Sequence, residues 1–210
     1  MISVFKAEEI KPLSDLIIKT EPGFKQVVEQ FGYPPFWHRE PGFASLVLTI
    51  LEQQVSLAAA ASAFNRLIQK TGIITPESIL SLSDNEMKAC YFSRQKIIYT
   101  KHLASILAEG KLDLLELNTK PDIIVRSELI KINGIGEWTI DTYLIMSLHR
   151  SDIFPAGDLA AVKALHELKL QKADTTKAGM IRYMERFSPY RSIATCLLWH
   201  SYIQKRGLVL

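Results

Sequence analysis

Apolar residues recur in this chain at three- and four-residue intervals, and no region alternates apolar with polar long enough to read as a β-meander or a βαβ series. Phe43, Leu46, Val47, Ile50 and Leu51 make one helical stripe. Leu57, Ala61, Phe64, Leu67 and Ile68 repeat it beyond the interruption "EQQVS". Start signals agree with this period. Thr75 followed by Pro76 reads as a helix N-cap and first helical residue, and Ser83 with Glu86 reads as a capping box. Further helices are expected over 93–110, 121–132, 137–149, 158–170, 175–187 and 190–207, with a short strand at most in residues 1–10. The fold class is therefore all-α, with roughly nine or ten helices joined by short loops. With 210 residues, 48% of them hydrophobic, the chain can bury a sizeable core in one domain or in two small lobes.

One stretch breaks the helical pattern and restarts it at once. "LIKINGIGEWTIDTY", residues 129–143, sets Gly134 and Gly136 around Ile135. Each glycine inside a helix costs about 0.5–1 kcal/mol relative to alanine, so the break needs a compensating use. Glycine admits positive φ and lets another backbone approach closely. A tight turn leading into a helix also presents unpaired N–H groups with the positive end of the helix dipole behind them, a ready site for an anion such as a DNA phosphate. An ordinary turn between two helices with a glycine cap explains the bare G-x-G equally well.

A second signal lies in "DIFPAGDLAAVKAL". Pro155 and Gly157 bracket a turn, and Asp158 opens a helix 20 residues beyond Trp138. Aspartate is a favoured N-cap, and the position needs no further explanation. The same dipole and amide donors also favour a carboxylate in its charged form, which can stabilise a sugar cation or orient a water.

Composition excludes several classes. A net charge of +3 tolerates a polyanionic partner without arguing for one. Cys90 and Cys196 are the only cysteines, too few for a disulfide framework, an all-cysteine zinc site or a four-cysteine iron–sulfur cluster. No apolar run reaches the ~18 residues of a membrane span. Glu8 and Glu9 stand where a signal peptide needs an apolar run. The expectation is a soluble intracellular monomer without membrane contact, in the cytoplasm and nucleoid of a bacterium or the nucleus of a eukaryote.

The fuller string apolar-x-x-I-N-G-I-G-x-W-T resembles the helix-hairpin-helix of DNA-binding and DNA-repair proteins. Paired with Asp158 at its spacing, it resembles the DNA glycosylase superfamily named for its hairpin, its Gly/Pro-rich loop and its aspartate. Four more stretches extend the match to the 3-methyladenine glycosylases of the inducible bacterial type: "LVLTILEQQVSLAAA", "FSRQK", "FPAGDLA" and "PYRSIATCLLW". The resemblance covers roughly residues 33–206. The chain is too short for the N-terminal β-rich domain of many bacterial relatives, so it resembles the compact members.

That resemblance implies two helical lobes with a DNA-binding cleft between them. Residues 40–150 would hold the hairpin; residues 1–39 with 151–210 would carry the aspartate and a pocket tryptophan. It implies a monofunctional glycosylase that flips out alkylated purines from damaged double-stranded DNA, because nicking relatives carry a lysine at the position of Trp138. Asp158 would be the catalytic carboxylate. Trp199, Trp138, Trp37 and Tyr143 would wall a pocket for a cationic base. Gly134, Ile135, Gly136 and Thr139 would hold a phosphate at the hairpin, joined on the DNA by Ser56, Arg94 and Lys96. Gln53 and Gln54 stand where relatives place a wedge that fills the gap left by the flipped base; a polar helix end remains the plainer reading. The carbonyls of Ile130, Ile132 and Ile135 match those that often hold a monovalent cation, sodium or potassium. No other cofactor is expected. Arg191 reads as bonding loops near the site; Glu137, Asp141 and Asp152 read as solvated or capping. Two alternatives stay open: a helix-hairpin-helix module that only grips DNA, and a glycosylase for oxidised, deaminated or ethenoadenine bases.

Overall fold

The computed structural model describes residues 3–208. These hold thirteen α-helices: α1 (Ile10–Thr20), α2 (Lys25–Phe31), α3 (Phe43–Glu52), α4 (Leu57–Thr71), α5 (Pro76–Ser81), α6 (Asp84–Ala89), α7 (Arg94–Ala108), α8 (Leu114–Asn118), α9 (Asp122–Leu129), α10 (Glu137–Met146), α11 (Leu159–Glu167), α12 (Lys177–Met184) and α13 (Arg191–Lys205). The described residues contain no strand; the pairing near the N-terminus is one isolated antiparallel bridge, Val4 with Arg150. Residues 1 and 2 of the expected short strand lie outside the described residues. No described helix is long and apolar enough to cross a membrane.

Helices α1, α2 and α8 have no counterpart among the sequence expectations. Pro12 in α1 argues against a helix, yet it falls in the first turn, where its missing N–H breaks no helical bond. The other two are seven and five residues long, too short to display a period. The start of α8 is nonetheless capped: the Asp113 carboxylate accepts from the Leu115 and Glu116 N–H groups at 2.8 and 3.1 Å.

The chain divides into two compact units. One runs through His38 and resumes at Leu144; the other is Arg39–Tyr143. The division thus falls inside α10 rather than at residue 150. Helix α10 stops at Met146, short of the expected end at 149, and His149 takes a positive φ of 50°. The turned-back chain is tied to the N-terminal segment: Arg150 N–H donates to the Leu144 carbonyl at 2.9 Å, Phe5 N–H to the His149 carbonyl at 2.9 Å, and Ser151 N–H to the Ser3 carbonyl at 3.0 Å.

In the first unit α13 is the central element. It is buried on every face from Ser192 to Ser201 and packs on α11, α1 and α2. Its apolar residues point to several sides, so each side needs a neighbour to cover it. Its first turn also fixes the chain before Asp158. Ser192 Oγ donates to the Arg150 carbonyl at 2.6 Å and accepts from Ile153 N–H at 3.0 Å, and Thr195 Oγ1 donates to the Ile153 carbonyl at 3.3 Å.

In the second unit α3 buries all five residues of its predicted stripe. Helix α4 packs on it through Ala60, Ala63 and Leu67; Ala61 and Ile68, expected inside, are exposed. Two small residues on the buried face let the helix axes approach closely, and that gain outweighs burying a larger side chain on a neighbouring face. Arg39 grips Glu52 at the end of α3 through two bonds of 2.8 and 2.7 Å.

Leu46 has no exposed surface. Leu46→Ala is expected to lower stability by about 2–5 kcal/mol, read from the urea midpoint, because the surrounding helices relax only partly into the cavity.

Candidate active site

Asp158 is the N-cap of α11. Pro155 and Gly157 make the turn before it, closed by Asp158 N–H donating to the Pro155 carbonyl at 2.8 Å. The carboxylate is buried. Its Oδ1 accepts two hydrogen bonds, from Ala161 N–H at 2.7 Å and from the indole N–H of Trp199 at 2.9 Å. The first is the capping bond; the second comes from the middle of α13. Trp37 meets Trp199 edge to face, with ring centroids 6.3 Å apart at 71°, and also lies 6.4 Å from His200. The first unit thus brings together three expected site residues, Asp158, Trp199 and Trp37. The donors fix how the carboxylate is rotated, and the Trp199 indole lies against it.

The second unit carries the hairpin. Helix α9 ends at Leu129, three residues before the expected end at 132, and α10 begins at Glu137. Ile135 N–H donates to the Ile132 carbonyl at 3.0 Å, and Gly136 supplies the first helical acceptor, for Ile140 N–H at 3.1 Å. Ile132 and Ile135 bury their side chains and pin the turn; Ile130 is exposed. The two glycines serve different needs. Gly134 has φ 90°, and a Cβ there would lie 2.0 Å from the Tyr99 ring, so only glycine fits. At Gly136 a Cβ would meet nothing within 4 Å, which leaves open space beside the first turn of α10.

Several expected site residues have other occupations. Tyr143 has no exposed surface, and its hydroxyl donates to Asn118 Oδ1 at 2.9 Å; burial pushes its pKa up to about 12. It is a core residue and not a pocket wall, because its position on α10 faces inward. Lys96 is not a free phosphate contact. Its ammonium donates to the Leu51 carbonyl at 2.6 Å, closing the C-terminus of α3, and partial burial lowers its pKa. Gln53 turns away from solvent: its side-chain amide donates to the Gly134 carbonyl at 2.8 Å and to Thr139 Oγ1 at 3.0 Å. Thr139 is correspondingly buried. Ser56 caps α4 through Ala59 N–H at 3.2 Å while remaining exposed. Gln54 and Arg94 are exposed, and Trp138 is half-buried in the first turn of α10.

Of the acidic residues read as solvated or capping, Glu137 is exposed in the first turn of α10, whereas Asp141 and Asp152 are paired. Asp141 is buried and pairs with Arg126, which also holds Glu137 at 2.9 Å. Asp152 accepts from Arg191 Nε and Nη2 at 2.7 and 3.0 Å and from Ser188 Oγ at 2.9 Å. Sequence reasoning missed Tyr99, Arg126 and His102, whose Nδ1 faces Asn133 N–H at 3.2 Å. Tyr99 and His102 support the hairpin from α7, and Arg126 ties α9 to α10; nothing local in α7 or α9 marks them.

The structure thus holds an aspartate that caps a helix beside a buried indole, and a glycine hairpin between two helices. The family model described as "HhH-GPD superfamily base excision DNA repair protein" matches residues 47–189. The chain belongs to that superfamily. It is 32% identical over 160 residues to a Bacillus subtilis relative, aligned over 72% of this chain and 56% of the relative, so the matched part spans little more than half of that protein. It is 33% identical over 168 residues to DNA-3-methyladenine glycosylase 1 of Schizosaccharomyces pombe, covering 77% of this chain and 72% of that one. Among solved structures, the S. pombe 3-methyladenine DNA glycosylase Mag1 in complex with abasic DNA matches with a TM-score of 0.81 and 28% identity, over 95% of this chain and 97% of that one.

Burial opposes the charge of Asp152, but the bonds from Arg191 and Ser188 and the Arg191 charge outweigh it and hold the carboxyl below its usual 3.8. A depressed carboxyl stabilises the fold above its unfolded value, and that stability is lost as pH falls through the lower folded value. Acid titration of stability below about pH 4 should therefore be shallower in Asp152→Asn than in wild type.

Proposed function

We propose that this protein is a monofunctional DNA glycosylase. It would flip an alkylated purine, of the 3-methyladenine or 7-methylguanine type, out of duplex DNA and hydrolyse its N-glycosidic bond, beginning base excision repair. The observation that carries this reading is the buried Asp158 carboxylate, fixed by Ala161 N–H and the Trp199 indole. A base inside a duplex cannot be reached and must be extruded. An alkylated purine is already cationic, so its bond to the sugar C1′ breaks with the electron pair moving to the base and needs no acid. The sugar left behind is an oxocarbenium-like cation. Asp158 stabilises it and orients the water that adds to C1′ and gives up a proton. The Trp199 and Trp37 rings suit a cationic base, since a cation over an indole face gains about 0.5–2 kcal/mol. Trp138 offers no amine for a Schiff base, so the product is an intact abasic site.

Affinity for DNA would come from the phosphates. The open space at Gly136, beside the N-terminal end of α10 and its helix dipole, supports phosphate binding there. The carbonyls of Ile130, Ile132 and Ile135 are hard oxygen donors that suit sodium or potassium. The Ile132 carbonyl accepts Ile135 N–H and keeps a second lone pair. Such a cation would supply positive charge beside the phosphate.

The test is base release from methylated duplex DNA, wild type beside Asp158→Asn. Release of 3-methyladenine or 7-methylguanine by wild type, lowered about 10²–10³-fold in the variant with duplex binding retained, is the expected result. Equal release would remove Asp158 from the mechanism. Binding without release of any base by wild type would favour a DNA-gripping module, and release of another damaged base would revise the substrate. Gly136→Asp places a negative charge where the phosphate is expected. It should weaken duplex binding about tenfold or more while circular dichroism stays helical; unchanged affinity would remove the hairpin from phosphate binding.

A further inference from the structure

We infer that Gln53 is a positioning residue: its side-chain amide joins the α3–α4 turn to the hairpin, so that Gln54 and the phosphate-binding backbone move as one rigid piece. This inference rests on the DNA reading above. Both hydrogens of the Gln53 amide nitrogen are used, one on the Gly134 carbonyl at 2.8 Å and one on Thr139 Oγ1 at 3.0 Å. They cross 81 and 86 residues of sequence. The two acceptors lie on either side of Gly136.

The two preceding residues are anchored as well. The Leu51 carbonyl takes the Lys96 ammonium at 2.6 Å, and the Glu52 carboxylate takes Arg39 at 2.8 and 2.7 Å. Three successive residues are thus tied to α7, to the segment before α3, and to the hairpin. The next residue, Gln54, is exposed and left-handed, with φ 57°. That conformation is costly for a residue with a Cβ and persists where the surroundings over-determine it. The anchors in front of it supply that constraint.

The consequence is mechanical. A side chain that enters a base stack is pushed back by the stack. If the turn yields, the wedge fails. Tied to the hairpin, the turn transmits that force to the backbone that holds the phosphate, and the spacing between the two sets which base pair is opened. Gln53 acts through Gln54 and touches neither base nor sugar.

Gln53→Met keeps the length and removes both donors; Gln53→Glu sets a carboxylate against the Gly134 carbonyl. In DNA-free protein, hydrogen exchange at residues 134–139 should quicken in both variants and not in Gln54→Ala. On methylated duplex, Gln53→Met should slow single-turnover release about tenfold in the wild-type background and by less than about twofold beside Gln54→Ala, a non-additive cycle. Unchanged exchange at the hairpin would overturn the brace, and additive effects would overturn its action through Gln54. If wild type releases no methylated base, the glycosylase reading fails by itself; the same cycle on affinity for a duplex with an abasic site then decides this inference.

Discussion

The candidate site depends on one buried hydrogen bond, from the Trp199 indole to the Asp158 carboxylate. Its two ends come from elements with different reasons to exist. Asp158 is where it is because α11 needs an N-cap, and the Pro155–Gly157 turn delivers it. Trp199 is there because α13 is buried all round and cannot rotate without exposing apolar surface. Ser192 and Thr195 then stitch the start of α13 to residues 150–153, the stretch that leads into the turn. A capping interaction worth about 1 kcal/mol in most helices is thereby converted into a carboxylate of fixed orientation.

In the other unit the equivalent constraint is steric. Gly134 is dictated by its own chain, through a positive φ and the Tyr99 ring. Gly136 is not: no described atom of the protein lies where its side chain would be. One glycine builds the turn, and the other leaves room beside it. The helical stability given up at G-I-G therefore has two uses, which the sequence shows as one symmetrical pair.

Charge is spent differently from its appearance in the sequence. Lys96 caps α3, Lys101 pairs with Asp84 at 2.6 Å, and Arg126 bridges Glu137 and Asp141. These cations hold the helices around the hairpin in place. In the proposed DNA complex the weight shifts toward backbone N–H groups, whose direction the fold sets, and toward exposed side chains such as Arg94.

The sequence by itself determined the helical class, ten of the helices, the hairpin and the capping role of Asp158, because each is encoded within a few consecutive residues. Period, cap and turn are local, and the helix-hairpin-helix with its aspartate is a linear motif. It did not show α1, α2 or α8, whose short length or early proline hides the period, nor which face of α4 is buried, since that depends on how closely two small residues let α3 approach. Only the tertiary structure decided that Tyr143 is core, that Asp152 and Asp141 are paired, and that Gln53 points to the hairpin and not to solvent. Those assignments depend on partners that lie from 15 to 86 residues away in the chain. A side chain's occupation is settled by what packing brings within hydrogen-bond reach, and packing distance has no image in sequence distance.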